Sequence, residues 1–295
     1  MEANSPTLKP ASVAVSLVES TIAKHNTPYL VIFVKAFLAG VMLSFGGLLS
    51  EIVSGGATTL TSSNPGLVKV LGGFVFPVGL VMIVLNGYEL LTSNMMYFPM
   101  AVLTRAIPWW SLAVNWIIVT FGNLVGSLFF AAILVRYTGV ISTAPYNTYV
   151  VEFAMKKASD PEWHQIFLRG IGCNWLVSIA VWQAASARDT ISKIFAIWIP
   201  IWVFVACSYD HGIMFGAELT PAGYIRKSLI ASYLGNIVGA QFVGLPAVFF
   251  YLRDYNASGL RDAENGQGLI GDDDGHEVTE VRSSESDGSK KSKQQ

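Results

Sequence analysis

Apolar runs long enough to cross a membrane dominate the pattern of hydrophobic and polar positions along the chain. Six such stretches lie at approximately 29–50, 66–86, 109–135, 166–186, 190–209 and 228–252. An α-helix needs about 20 apolar residues to cross a hydrocarbon core that is roughly 30 Å thick. The pattern therefore predicts an all-α integral membrane protein with six transmembrane helices.

The segments on either side of these stretches are polar. Residues 1–28 contain three prolines, and we expect them to form a flexible cytoplasmic arm before a transmembrane domain at 29–252. Residues 253–295 are rich in charge, glycine and serine, so we expect a disordered cytoplasmic tail. An even number of spans puts both termini on one side, and a long charged tail is costly to translocate. We therefore place both termini in the cytoplasm.

Composition agrees with a lipid environment and narrows the function. The chain is 52% hydrophobic and 13% charged, whereas soluble domains carry about 25% charged residues. The formal net charge of −1 offers no basic face for nucleic acid. Cys173 and Cys207 both lie in apolar stretches, which indicates neither a disulfide framework nor a metal site. We expect no cofactor, and no spacing of nucleophile or metal ligands suggests an enzyme.

The two halves of the hydrophobic region share three motifs in the same order. The pairs are FLAGV 37–41 with FLRGI 167–171, GYE 87–89 with SYD 208–210, and GNLVG 122–126 with GNIVG 235–239. Each half has three spans, so the second half must enter the membrane from the opposite side. The pattern predicts an inverted 3+3 repeat, and such folds bind substrate near the midplane, where the repeats meet.

The second and fifth spans are each interrupted by a polar segment between prolines. The interruptions read NGYELLTSN at 86–94 and SYDHGIMFGAEL at 208–219. A helix can break at membrane depth only where the freed backbone is buried in protein or lines a cavity. Ionisable groups at that depth are functional by default, so Asp210 and His211 are predicted at the site. The alternative is an interfacial loop outside the membrane.

Several of these segments carry a family resemblance. ELLTSN at 89–94, FLRGIGCNWLVSIAVW at 167–182 and the two GNxVG motifs resemble the formate/nitrite transporter family over roughly residues 30–252. The segment NGYELLTSNMMYFPM at 86–100 and the acidic tail are most similar to those of the fungal nitrite transporters. The resemblance implies an aquaporin-like inverted fold, a homopentamer with one pore per protomer, and proton-coupled transport of small monovalent anions.

The resemblance also implies roles for individual residues. The substrate pathway would contain Leu91, Thr92, Lys157, Asn174, His211 and Asn236. Thr92 would face His211, and Leu91 would line a constriction where many members have phenylalanine. Lys157 would be the lysine of the outer vestibule, with Lys156 as the competing position.

A second set of residues is expected to support the broken loops. The set consists of Glu89, Asn94, Asn123 and Asp210. Glu89 and Asp210 occupy matching repeat positions, and a carboxylate there would repel an anion. We therefore expect them to bind loop N–H groups and helix ends, and Asn123 to hold broken backbone by hydrogen bonds.

Together these features predict a plasma-membrane nitrite transporter with proton-coupled uptake. Burial penalises the charged form of a weak acid, so the anion is expected to take up a proton in the pore and pass as the neutral acid. His211 would either relay that proton or only order the loop with Thr92. The alternative is a transporter or anion channel of the same fold for formate or another small monocarboxylate.

Other classes of membrane protein fit the sequence less well. An aquaporin needs two capping motifs of the NPA type, and only Asn64-Pro65-Gly66 comes close. An ammonium channel needs two facing histidines within the membrane, and the spans offer only His211. A sensor or scaffold that transports nothing stays open, because only a flux measurement separates it from a transporter.

Overall fold

The computed structural model describes residues 5–158, 160–209 and 228–253. Over these residues the chain forms helices and no strand. The helices are α1 Pro10–His25, α2 Tyr29–Gly56, α3 Thr58–Ser63, α4 Pro65–Val75, α5 Val78–Leu85, α6 Leu91–Leu103, α7 Trp109–Phe129, a π-helix Phe130–Tyr137, α8 Tyr146–Ala158, α9 Trp163–Ser186, α10 Thr190–Ala206 and α11 Ile230–Tyr251. The all-α class is confirmed.

Six apolar segments match the predicted spans. Five are long enough to cross a membrane, namely α2, α4 with α5, α7 with the π-helix, α9 and α11, and α10 is a shorter apolar helix. Large apolar side chains such as Leu30, Ile117 and Phe249 are exposed on these helices. A surface of this kind is stable against lipid tails or other apolar helices and unstable in water.

Local sequence signals explain where several helices begin. Asn64 caps α4, since its side chain accepts a hydrogen bond from Leu67 N at 3.2 Å, and Pro65 follows in the first turn, where no N–H is needed. The one NPA-like motif is therefore an ordinary helix cap. Asp189 caps α10 by accepting from Ser192 N at 2.8 Å. Hydrogen bonding with the Ser192 side chain, and then with its backbone N–H, lowers the pKa of the Asp189 carboxyl.

Glycines bring α2 against α7 and α9 against α11. A Cβ on Gly126 would collide with the carbonyl oxygen of Phe37, and one on Gly239 would collide with that of Ile171. Small residues at such crossings let the backbones of membrane helices approach closely. The two GNxVG motifs therefore make equivalent helix crossings in the two halves.

These crossings correct one pairing of the repeat. Gly122 lies against Phe33 O and Gly235 against Phe167 O, so Phe33 is the counterpart of Phe167. The segments IFVKAF at 32–37 and IFLRGI at 166–171 thus correspond. The predicted pairing of FLAGV with FLRGI is wrong by about one helical turn, because the Phe-Leu-x-Gly match begins at Phe37, one turn after the true counterpart Phe33.

Residues 10–25 form α1, so the expectation of a flexible arm is wrong for them. The side chains of Val13, Leu17, Val18 and Thr21 are buried and lie at i, i+4, i+5 and i+8, the spacing of one helix face. α1 packs against α6, α9 and α11. The stripe is too short to register as a span, yet long enough to bury one side of a helix.

The chain before α1 is also attached to the body of the protein. Leu8 N donates to Ser186 O at 2.8 Å, and Arg188 N donates to Pro6 O at 3.3 Å. These bonds tie the N-terminal segment to the loop between α9 and α10. The predicted tail beyond Arg253 lies outside the described residues.

α1 and α8 are counterparts in the repeat. Each precedes the first span of its half, and the two share the pattern V-E-x4-K-x3-P, at 18–28 and at 151–161. Lys24 of α1 thus corresponds to Lys157 of α8. Each half of the protein begins with a helix that ends near a lysine.

Candidate functional site

The second span breaks directly after α5. The backbone at Gly87 is left-handed, with φ of 65°. Tyr88 N donates to Ile83 O at 3.0 Å, and Gly87 N donates to Val84 O at 3.2 Å. This is the hydrogen-bond pattern of a Schellman motif, in which glycine takes the left-handed position without steric cost.

The fifth span ends in the same way after α10, with a different residue. Ser208 is left-handed, with φ of 63°. Tyr209 N donates to Phe204 O at 3.1 Å, and Ser208 N donates to Val205 O at 2.9 Å. A residue with a Cβ pays about 1 kcal/mol or more in this conformation. The fifth span is therefore broken by a turn that glycine would make without strain.

A buried ion pair lies at the break of the second span. Lys24 Nζ lies 2.7 Å from both carboxylate oxygens of Glu89, and Glu89 is 4% exposed. Asn94 Nδ2 donates to Glu89 Oε2 at 2.8 Å and to Asn115 Oδ1 at 2.9 Å. The Glu89 carboxylate is thus held by the side chains of Lys24 and Asn94 rather than by the expected loop N–H groups.

Sequence reasoning did not single out Lys24. The signal was present, because the V-E-x4-K-x3-P pattern places Lys24 and Lys157 at matching positions. The polar composition of residues 1–28 favours a flexible arm, and a flexible arm would offer no partner for this lysine. Lys24 also donates to Asn94 Oδ1 at 3.2 Å, so it contacts two of the residues predicted to support the loop.

Asn123 closes the broken backbone of the second span. Its Nδ2 donates to Ala36 O and to Glu89 O, both at 2.8 Å, and its Oδ1 accepts from Leu91 N at 3.0 Å. Backbone groups at membrane depth need such partners because no water is available. This one side chain joins α2, the break and the first turn of α6.

Asn236 makes the corresponding contacts in the second half. Its Nδ2 donates to Ser232 O at 2.7 Å and to Gly170 O at 3.3 Å. Gly170 is the counterpart of Ala36, so the two asparagines bind equivalent carbonyl groups. Asn236 therefore serves helix packing as well as lying beside the predicted pathway.

Asn174 connects the two halves. Its Nδ2 donates to Thr92 O at 3.1 Å and to Asn236 O at 2.8 Å. The side chain is fully buried, and no donor in the described part of the chain reaches its Oδ1. Leu91 and Thr92 form the buried first turn of α6. Four predicted pathway residues, Leu91, Thr92, Asn174 and Asn236, therefore meet where the halves join.

The two candidate lysines of the vestibule have different surroundings. Lys157 Nζ donates to Ser208 O at 2.6 Å and to Tyr209 O at 3.3 Å. Lys156 is exposed and pairs with Glu152 at 3.5 Å. Lys157 is thus the lysine that contacts the end of the fifth half-helix. Asp210 and His211, which follow Tyr209, lie outside the described residues.

The chemistry of the side chains at the junction is polar but not metal-binding in the described part of the chain. Within the described ranges no group of three or more His, Cys, Asp or Glu side chains is placed to hold a metal ion. The side chains that converge at the junction are amides, a threonine and a leucine. Such groups can orient a small polar solute and exclude bulk water.

Comparison with known proteins shows which family has this architecture. The family described as formate/nitrite transporter matches residues 11–249. A probable formate transporter of Methanothermobacter thermautotrophicus is 36% identical over 268 residues, which cover 83% of this chain and 97% of the relative. The formate channel FocA of Escherichia coli is 32% identical over 292 residues, which cover 86% and 99%.

A solved structure agrees with the sequence matches. A pentameric formate channel with formate bound superposes with a TM-score of 0.65 at 27% identity, over 76% of this chain and 98% of the channel. The protein is therefore a multi-pass membrane transporter or channel and not an enzyme. It belongs to the formate/nitrite transporter family. The finer likeness to fungal nitrite transporters is not shown, since the relatives named for a substrate are mostly formate proteins.

Proposed function

We propose that the chain carries a small monovalent anion across the plasma membrane together with a proton, and that the anion crosses as its neutral acid. Formate is the first candidate substrate, because similar proteins are named as formate transporters or channels. Nitrite is the second candidate, favoured by the resemblance of the segment at 86–100 to fungal nitrite transporters. Both termini would face the cytoplasm, and five copies would assemble as in the pentameric relative.

The observation that carries this proposal is the orientation of Asn174. Its donor group is occupied by Thr92 O and Asn236 O, and the amide cannot flip without losing both bonds. Its free end is an acceptor, buried and without a donor among the described residues. A buried acceptor without a partner costs free energy. An O–H group of a protonated acid would satisfy it, whereas an anion has no proton to donate.

Desolvation supports the same route. Leu91 and Thr92 are 2% and 1% exposed, so a solute passing this turn loses its hydration shell. The loss is far more costly for an ion than for a neutral molecule, and burial raises the proton affinity of an anion. His211, next to Asp210 in the chain, would either supply the proton or order the loop.

The charged groups near the break do not contradict passage of a neutral acid. The Glu89 carboxylate would repel an approaching anion, but Lys24 neutralises it at 2.7 Å. The Lys24–Glu89 pair itself carries no net charge. We therefore assign Glu89, Asn94, Asn123 and Asp210 to loop support, and Leu91, Thr92, Asn174, Asn236, Lys157 and His211 to the pathway.

Uptake by proteoliposomes tests the proposal. Labelled formate and nitrite would be added separately to vesicles with an imposed pH gradient, and then to vesicles with an imposed voltage at equal pH. We expect uptake to increase with an inward proton gradient and to ignore voltage, since the transported species is neutral. Uptake driven by voltage alone would replace the proposal with an anion channel, and competition between the two anions would rank the substrates.

A further inference from the structure

We propose that Lys157 is a positioning residue, whose ammonium group holds the strained turn at Ser208, and that α8 is the strut that delivers it. The turn is the last described part of the fifth span, and the chain passes from it directly to Asp210 and His211. The inference rests on the proposed function for its transport readout. Its stability readout does not depend on the substrate.

The strain is at Ser208. Its φ of 63° is left-handed, a conformation that residues other than glycine rarely adopt, because Cβ approaches the following carbonyl oxygen. The matching turn of the first half uses Gly87, with φ of 65°. The second half therefore makes the same turn with an unfavourable residue, and it needs a compensating contact.

Lys157 supplies that contact. Its Nζ donates to the carbonyl oxygens of Ser208 at 2.6 Å and Tyr209 at 3.3 Å, so it binds both peptide groups that leave the turn. Hydrogen bonds from a charged donor are stronger than those between neutral groups. A cation at this end of α10 is also favoured by the helix dipole, whose negative end lies there.

The first half shows that a lysine at this repeat position has another option. Lys24, the counterpart of Lys157, binds the side chain of Glu89 rather than the carbonyl groups of its turn. The turn in that half needs no support because Gly87 makes it without strain. A lysine bound to the carbonyl oxygens of the turn therefore occurs in the half with serine, whereas in the described residues Lys24 makes no such bond to the turn at Gly87.

α8 is anchored at its far end, which gives Lys157 a fixed base. Its first residues pack on the glycines that end α2: a Cβ on Gly55 would lie 3.2 Å from the Tyr149 side chain, and one on Gly56 would lie 3.3 Å from that of Tyr146. Two rings resting on two glycines set the position of α8 against α2. The helix thus links the end of the first span to the break of the fifth.

A double-mutant cycle on thermal stability tests the contact. The variants are Lys157→Met, Ser208→Gly and the two combined, each purified as the full-length oligomer. Lys157→Met should lower the melting temperature, and it should lower it less in the Ser208→Gly background, because glycine no longer needs the support. Equal losses in both backgrounds would overturn the inference. If Lys157→Met alone does not assemble, restored assembly in the combined variant supports it, and continued failure contradicts it.

Transport separates positioning from attraction of the anion by charge. Lys157→Met should lower the maximal rate of formate or nitrite uptake by about tenfold, the effect of losing a hydrogen bond to a charged donor. Ser208→Gly should restore part of that rate. The matched control Lys156→Met removes the same charge one residue away, from a side chain that pairs with Glu152, and should leave uptake unchanged.

The dependence on salt gives the opposing outcome. A lysine that acts by attraction would change the apparent KM, the change would shrink at high ionic strength because salt screens charge, and Ser208→Gly would not rescue it. That pattern would overturn the positioning role. If wild-type vesicles take up neither anion, the proposed function fails, while the melting temperatures still decide the inference.

Discussion

The two halves of the chain share the same helix packing and differ in the polar contacts where they meet. In each, a helix that ends near a lysine precedes the first span, the second span breaks at a left-handed turn, and a GNxVG helix packs against the first span. Among the described residues the lysines differ in one respect: Lys157 binds the carbonyl groups of the turn residues Ser208 and Tyr209, whereas Lys24 binds the Glu89 carboxylate and no carbonyl group of its turn. The shared packing joins the helices of each half, and the two halves differ in the polar contacts at the centre.

Gly40 and Asn174 show the same contrast at one position of the repeat. A Cβ on Gly40 would collide with the carbonyl oxygen of Asn123, whereas Asn174 donates to the equivalent carbonyl of Asn236 and also to Thr92 O. The first half closes this position by direct backbone contact. The second half fills it with an amide that reaches into the first. A symmetric packing contact has thereby become an asymmetric polar one.

The largest effect is expected where the halves are most alike. Gly126→Ala and Gly239→Ala each place a Cβ against a carbonyl oxygen of the facing helix, and overpacking of this kind costs about 3 kcal/mol. Gly47→Ala is the matched control, because nothing lies within 4 Å of a Cβ there. Melting temperature and oligomer yield in detergent measure the difference. If either crossing variant behaves like Gly47→Ala, the close crossing does not hold the first and third spans of that half together.

Breaking the buried ion pair should give an effect of similar size. Lys24→Met leaves the Glu89 carboxylate buried without its cation, and breaking a buried pair in this way costs about 3 kcal/mol. The combined variant Lys24→Met/Glu89→Gln removes both charges and should recover much of that loss in thermal unfolding. Lys157→Met, the matching change in the second half, removes hydrogen bonds to two carbonyl oxygens and should cost about 2 kcal/mol. Equal losses for the two lysine variants would remove this difference between the halves.

Asn174→Ala should reduce transport more than stability. It removes two hydrogen bonds, at about 1 kcal/mol each, and the acceptor proposed for the neutral acid. Formate uptake should fall at least about tenfold. Ser178→Ala is the matched control one turn along α9, since its buried hydroxyl has no hydrogen-bond partner in the described residues. An equal fall of uptake in both variants would show that any change on this face of α9 disturbs transport.

The smallest predicted effect lies at the turn of the second span. Gly87→Ser puts a Cβ into a left-handed residue and should cost about 1 kcal/mol, although nothing lies within 4 Å of the new Cβ. The loss therefore measures backbone strain without any clash. A melting temperature equal to that of the wild type would mean that Ser208 is not strained either, and the contrast between the two turns would disappear.

Most of the helix arrangement could be predicted from the sequence, because transmembrane spans are recognisable as long continuous apolar stretches. The GNxVG motifs and the break after Gly87 were also visible, since glycine, asparagine and proline punctuate otherwise apolar runs. The alignment of α2 with its repeat counterpart α9 is predicted one helical turn away from the observed one. Phe33 and Phe37 lie one turn apart in α2, but only Phe37 begins a Phe-Leu-x-Gly match, and packing against α7 shows that Phe33 is the true counterpart.

α1 and Lys24 were missed for a different reason. A short amphipathic helix with a few buried residues such as Val13 and Leu17 has no strong signal beside six long spans. Its fixed place comes from tertiary contacts. The partner of Lys24 is 65 residues away, and no local pattern specifies such a pairing. Comparison of V-E-x4-K-x3-P between the halves would have indicated it.

The docking of α1 sets an order of events during synthesis. α1 leaves the ribosome before every span, yet Lys24 must wait for Glu89, Leu8 must wait for Ser186 at the end of α9, and the apolar face of α1 must wait for α11. α1 therefore cannot complete its contacts until α11 has been made. Docking of α1 therefore indicates that all of these spans have been made. Until then, the apolar face of α1 has not found its packing partners, for as long as membrane insertion continues.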